Sequence, residues 1–269
     1  MLYGAILARL HTGIHGPLRI LFITANLPYP PTSGGAIRTY GIMKGLYDAG
    51  HHLTLISFSE AQQIAPELDA LCQQIITLPT PQRNILHRLY DLLLTQQADI
   101  ARRLYSNDFA KRLLKLLADE PFDVIQFEGI EAACYLPVIR GAGIETYTVF
   151  DTFNAEAELQ RIIYQIDRAE ANRWLAALYS RLQVGRIQRY ERLLCQLADT
   201  VIAVSAEDAA FLRPFRPGRR VEVISSGIFV ADYAQNNRPI DLGKNAIVFT
   251  GKMDYRPNVD AMQWFVQRI

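Results

Sequence analysis

Gly34 and Gly35 stand side by side between a Pro-rich loop, "NLPYPPTS", and a helical pattern that follows. A residue without Cβ lets a ligand approach the main chain, and a helix N-terminus offers unpaired N–H groups and the positive end of its dipole. Such a loop suits a phosphate or a sugar, and its prolines limit its conformations. A turn that only starts a helix would use the same residues, so both readings stand. The loop is neither a dinucleotide fingerprint nor a Walker loop: it has no G-x-G-x-x-G and no Gly-Lys-Ser/Thr. Arg38, just inside the helix, joins the two glycines as a substrate-binding candidate.

Two acids end apolar runs. Glu128 closes "FDVIQFE" and Asp151 lies at the end of "TYTVFDT". A carboxylate at a strand end can hydrogen-bond an acceptor hydroxyl or act as a base, so these two are the catalytic candidates. The alternative for Glu128 is a solvated loop acid. Asn154 and Glu156 follow as polar contacts for substrate, or as an ordinary helix start. Ser205 either touches a ligand or caps the next helix, with Asp208 reaching back as in a capping box. His11, His15, His51, His52 and His87 show no ligand spacing. Cys72, Cys134 and Cys195 are far apart in apolar contexts, which indicates neither a metal site nor a disulfide framework and fits a reducing compartment. No metal and no cofactor are expected.

The elements that must position these residues alternate. Strands are expected at 19–25, 52–58, 75–79, 122–128, 146–152, 200–205 and 220–225 from their apolar runs. Helices are expected at 36–50, over most of 60–74, in two stretches of 82–119, and over 154–197 as one long or two broken helices. Strands separated by helices imply a doubly wound parallel sheet with helices on both faces. Residues 226–245 carry the Gly, Pro and Asn of a linker signature, with the first domain expected over 19–235 and the linker proper over 236–245. A further strand at 246–251 and helix at 258–269 read as the first unit of a second domain, cut short because one strand and one helix cannot bury their own apolar faces. Residues 1–18 read as a disordered leader, with a weak membrane-surface helix as the alternative.

Composition sets limits. The 269 residues are half hydrophobic, enough for one large domain or two modest ones. The 28 Lys and Arg against 27 Asp and Glu leave +1, which gives no global signal for nucleic acid. No apolar run approaches the roughly 20 residues of a membrane span. Between residues 161 and 192, arginines outnumber Asp167, Glu170 and Glu191 and interleave with Trp174, Leu175, Leu178 and Leu182. Either this helix packs by its apolar stripe with arginines in water, or it lies on anionic lipid.

The segments "ILFITANLPYPPTSGGAIRTYGIMKGLYDAGHHLTLIS", "FDVIQFEG", "VFDTFNAEAELQRI", "RYERLLCQLADTVIAVSAEDAAFL" and "VEVISSGIFVADY" resemble, in the same order, those of family-4 glycosyltransferases of GT-B fold. "IVFTGKMDYRPNVDAMQWFVQRI" is similar to the opening of that family's second, nucleotide-binding domain. The likeness spans about residues 19–269. It implies two Rossmann-like domains facing a cleft, a nucleotide-sugar donor held mainly by the second, and a glycan or lipid-linked acceptor on the first. It further implies retention of configuration, no bound metal, and a cytoplasmic enzyme working at the inner membrane face in polysaccharide biosynthesis. Lys252 matches the family's first basic position for the donor phosphates, and Arg256 is offset by one from the second. Phe153 stands where related sequences commonly carry His. The family's pair of donor-binding Glu residues falls beyond Ile269, so this chain by itself is expected to transfer little or no sugar. A non-catalytic acceptor-binding fragment and a GT-B nucleotide-sugar epimerase are the alternatives.

Overall fold

Strands form where apolar, β-branched runs have neighbours on both sides to pair with. The computed structural model describes residues 16–61, 63–84, 91–92, 94–169, 171–230, 241, 243–251, 253 and 256–269. The chain divides into two compact units, Met1–Gly227 and Ile228–Ile269. Most of the expected leader, residues 1–15, lies outside the described residues.

The first unit holds a seven-stranded sheet. Its strands are β1 (Arg19–Thr24), β2 (His52–Phe58), β3 (Cys72–Leu78), β4 (Val124–Glu128), β5 (Tyr147–Asp151), β6 (Thr200–Ala203) and β7 (Glu222–Val223). Every pairing is parallel, in the order β3-β2-β1-β4-β5-β6-β7. The helices are α1 (Gly34–Asp48), α2 (Pro66–Asp69), α3 (Asp99–Arg103), α4 (Asn107–Asp119), α5 (Gly129–Ala132), α6 (Leu136–Gly141), α7 (Glu156–Ala169), α8 (Trp174–Leu197) and α9 (Ala206–Leu212), with α10 (Arg256–Arg268) in the second unit.

Alternation along each strand builds two cores, one on each face of the sheet. Ile20, Phe22, Leu53, Leu55, Val124 and Val149 meet Met43 and Leu46 of α1 on one side. Leu21, Ile23, Ile125, Phe127, Phe150 and Val201 meet α4, α6 and α8 on the other. There the Phe109 ring stacks on Tyr135 at 4.3 Å between centroids. The Tyr135 hydroxyl donates to Leu104 O at 2.7 Å and accepts from Ser106 N, so this large buried ring leaves no polar atom unpaired. The expected doubly wound α/β sheet is what forms.

Several expected boundaries shift. The helix expected over 60–74 shrinks to α2, because residues 72–78 pair with β2 as an edge strand and tertiary pairing outweighs local helical pattern. The long segment 154–197 resolves into α7 and α8, with a 3-10 turn at Ala171–Arg173 between them. Helix α1 begins at Gly34, not at 36, because the Ser33 hydroxyl accepts from Ala36 N and starts the helix there. Arg216, 3% exposed, holds the end of α8 by donating to the carbonyls of Cys195, Ala198 and Asp199. Those oxygens have no partner inside the helix.

In the second unit, residues 246–250 form no strand, and no described strand pairs with them. Ile247, Val248 and Phe249 stand 76%, 63% and 41% exposed. An extended segment without a ladder leaves its amides to water. In hydrogen exchange, the amides of Ile247–Thr250 are expected to exchange close to the rate of unstructured peptide. Those of β1 should be slower by several orders of magnitude. Comparable protection of both would show that 247–250 is held in a ladder after all.

Candidate functional site at the carboxyl ends of the central strands

The strand order turns at β1. The chain winds outward to β2 and β3 on one side and to β4 through β7 on the other, which opens a crevice beyond the carboxyl ends of β1 and β4. Register puts four polar residues in a row across this end: Ser57, Thr24, Glu128 and Asp151 are successive partners on β2, β1, β4 and β5. Alternation turns them to the face that α1 covers. There two consecutive α1 side chains meet them.

Arg38 is 3% exposed and Asp151 is fully buried. The guanidinium is bidentate: Nη2 donates to Oδ1 at 2.8 Å and Oδ2 at 3.0 Å, and Nε to Oδ1 at 3.2 Å. Its Nη1 donates to Ile224 O at 2.7 Å. Arg38 therefore faces the protein interior and ties α1 to β5 and to the strand end at β7. Asp151 is likewise engaged, and its part in the site is to hold α1 in place. Next along, the Thr39 hydroxyl donates to Glu128 Oε2 at 2.9 Å, and Gln126 Nε2 donates to Oε1 at 2.5 Å.

Glu128 is 2% exposed. Burial, reinforced by the charge of Asp151, pushes its carboxyl up to about 8, against the opposing hydrogen bonds from Gln126 and Thr39 and the Arg38 charge. Burial thus favours the protonated, uncharged form at neutral pH over the solvated carboxylate that is one sequence expectation.

Glu128 borders a cavity of about 150 Å³ whose wall also includes Thr24, Ser33, Gly35, Thr39 and Phe153. Thr24 is 4% exposed, and its buried Oγ1 has no hydrogen-bond partner. Among the described residues, the Gly34 and Gly35 amides have no acceptor, and the first turn of α1 carries no acid. These N–H groups open a 15-residue helix toward the crevice.

The two glycines differ. A Cβ on Gly34 would meet open space, whereas one on Gly35 would lie 3.0 Å from Phe153 Cε2. The same ring edge would stand 3.0 Å from a Cβ on Gly129, whose φ of +83° is itself unsuited to other residues. Gly35 and Gly129 thus clear space for Phe153, which lines the cavity. Neither Gly34 nor Gly35 has positive φ, so steric access and not backbone conformation explains the pair.

The other expected contacts serve the start of α7 and α9. Asn154 Nδ2 donates to Glu156 Oε1 at 3.0 Å. The amides of Ala155, Glu156 and Ala157 donate to carboxylates of Asp208 and Glu191, so this helix N-terminus is already occupied by acids. Ser205 Oγ accepts from Asp208 N at 3.0 Å and caps α9. Lys252 lies outside the described residues, and Arg256 opens α10 in the second unit. Among the described residues, no three His, Cys, Asp or Glu side chains are grouped to hold a metal. Thr24, Thr39 and Gln126 are not site candidates in the sequence reading, and Glu191 appears there only as an acid of the basic stretch 161–192. Gln126 carried a visible signal, a polar residue inside an apolar central strand.

Residues 32–231 match the profile of the family described as Glycosyltransferase Family 4, and the chain belongs to that family. No curated protein sequence matches it. Among solved structures it is similar to a glycotransferase of kitacinnamycin, at 12% identity and TM-score 0.44, covering 87% of this chain and 56% of that one. It is also similar to the catalytic domain of starch synthase IV from Arabidopsis thaliana bound to ADP and acarbose, at 14% identity and TM-score 0.48, covering 81% and 53%. The chain spans about half the length of these structures.

Two outcomes test the network. Arg38→Met strands a buried Asp151 charge and is expected to cost roughly 3–5 kcal/mol in denaturant unfolding, and pairing it with Asp151→Leu should recover much of that loss. Glu128 titrates near 4.5 when unfolded and near 8 when folded. Its contribution is therefore full below about pH 4.5 and is lost as pH rises through 8. Glu191, raised to about 7 by burial, acts with the same sign. Unfolding free energy measured from pH 5 to 9 should thus fall less steeply in Glu128→Gln than in the native protein. Equal slopes would place a charged Glu128 in the fold.

Proposed function

We propose that this chain supplies the acceptor-side domain of a retaining glycosyltransferase that moves a sugar from a nucleotide-sugar donor to a glycan or lipid-linked acceptor. The observation that carries the reading is the cavity at the β1–β4 crevice, where the open amides of α1 meet a protonated Glu128. Donor sugars leave behind a nucleoside diphosphate, and N–H groups at a helix N-terminus are suited to the negative charge that develops on it. A neutral Glu128 suits the same charge, or an acceptor oxygen, by donating its proton in a hydrogen bond. Once ionised it would repel a phosphate. Thr24 Oγ1 offers a further donor or acceptor at the cavity wall. Phe153 closes one side of the pocket by ring contact. Asp151 acts through Arg38 as a positioning residue.

In this reading no metal or organic cofactor takes part, and Lys252 and Arg256 meet the donor phosphates. The enzyme works in the cytoplasm at the inner face of the membrane, in polysaccharide biosynthesis. Among the described residues no helix is long and apolar enough to cross a membrane. Peripheral contact is supported by the outward side of α8, where Trp174 and Leu175 are 64% and 62% exposed near Arg181.

The test is nucleotide release from UDP-, GDP- and ADP-sugars, with and without glycan or lipid-phosphate acceptors, in an enzyme carrying this domain. Gly35→Val should depress acceptor-dependent release by tenfold or more, because its side chain drives Phe153 into the cavity, while unfolding stability drops by about 1–3 kcal/mol. Native activity should fall above pH 8, and Glu128→Gln should remove that limb. Near-normal rates in Gly35→Val would discard the cavity as the site. Release that needs no acceptor and yields an epimerised sugar would favour an epimerase. Glycan binding without release by any form would mark a binding module.

A further inference from the structure

A second cavity of the first unit lies elsewhere. It lies between α3, α6 and α8, on the face of the sheet opposite α1, and offers about 530 Å³. That volume is in the range of small-molecule sites. Its inner wall is apolar: Ala98, Ala101, Cys134, Pro137 and Val138, while Leu193 of α8, 42% exposed, stands at its rim. Tyr190 also faces it, with its hydroxyl already donating to Ile130 O at 3.2 Å. The cavity is open to solvent on one side, and a recess of this size between helices leaves room that their packing does not fill.

The mouth is cationic. Arg102, Arg186 and Arg189 are part of the wall, and among the described residues no acidic side chain is. Arg102 leans on Asp91 at 3.3 Å, an acid that Arg83 already pairs at 2.8 Å. Arg189 is exposed. Arg186 donates through Nη2 to Leu92 O at 2.9 Å, but its Nη1 is buried with no hydrogen-bond partner. A buried guanidinium nitrogen without an acceptor is costly, and a rotation of the side chain that turned it into the cavity onto a ligand oxygen would remove that cost. Water alone would not suit the apolar wall, and an apolar ligand alone would leave the arginines unused.

We propose that this cavity binds an anionic amphiphile, with one hydrocarbon chain against Ala101 and Val138 and the acidic head on Arg186 and Arg189. The amphiphile arrives as a monomer or from a lipid bilayer. The site shares no residue with the β1–β4 crevice, and its test involves no sugar. The apolar chain supplies affinity through burial, and the guanidiniums supply the choice of head group.

The test is calorimetric titration of the 269-residue chain with dodecyl phosphate and with dodecylphosphocholine, both below their micelle concentrations. The phosphate should bind about tenfold or more tightly than the zwitterion. Ala101→Trp fills the cavity and should abolish binding of both, with Val138→Phe as a second filling variant should the first unfold. Arg186→Gln with Arg189→Gln should erase the preference for phosphate and leave residual binding of both amphiphiles. A parallel arm measures co-sedimentation with phosphatidylcholine vesicles containing phosphatidylglycerol. Loss of vesicle binding in Ala101→Trp would show that the cavity draws its ligand from the bilayer. Unchanged vesicle binding together with loss of monomer binding supports the monomer route. Unchanged dodecyl phosphate affinity in a folded filling variant, or no binding to the native chain, would overturn the proposal.

Discussion

The Arg38–Asp151 pair is the contact on which the functional end of this molecule depends. A guanidinium taken out of water needs an acceptor on nearly every N–H, and here Asp151 takes three of the contacts and Ile224 O a fourth. The two partners are 113 positions apart in sequence, so the pair joins the first helix to the fifth strand. It sets the height and the rotation of α1 above the sheet. With α1 fixed, Gly34 and Gly35 present their amides to the crevice, and Thr39 falls within reach of Glu128.

Charge balance follows from the same contact. Two buried carboxyls, Glu128 and Asp151, sit side by side in register with one buried cation between them. Arg38 makes its direct bonds to Asp151, which leaves Glu128 with neutral donors only. Burial and the neighbouring negative charge then keep a proton on Glu128. A strand-end acid that would be ionised in water is thus held toward its protonated form by burial and by the neighbouring Asp151. Phe153 shows the same economy in steric form: two glycines from different elements, Gly35 and Gly129, are shaped around one ring.

Much of the fold was legible because its signals are local or periodic. Continuous apolar runs such as "RILFIT" mark strands that are buried on both faces, and the alternation of runs with helical stretches implies the parallel, doubly wound sheet. The capping role of Ser205 with Asp208 also follows from spacing alone, because a helix N-terminus needs an acceptor within three residues. Where local pattern and pairing disagreed, pairing won. Residues 72–74 read as helix and became the edge strand β3, while residues 246–250 read as strand and formed none among the described residues, since a strand exists only with a partner.

What the sequence determined by itself is therefore the class of the molecule: an alternating α/β chain, a glycine-bearing loop at the end of its first strand, acids at the ends of two others, and an ordered set of segments that marks Glycosyltransferase Family 4. What only the tertiary structure decided is what those residues do. Arg38 reads as a substrate-binding candidate and is an internal tie; Asp151 reads as a catalytic candidate and is its partner; Glu128 reads as a base or a solvated acid and is buried, with burial favouring its protonated form. The reason is physical. Spacing along the chain reports which residues share a strand or a helix face, but a side chain's charge state and reach depend on burial and on neighbours drawn from distant segments, and those exist only once the sheet has placed β1, β4 and β5 in register beneath α1.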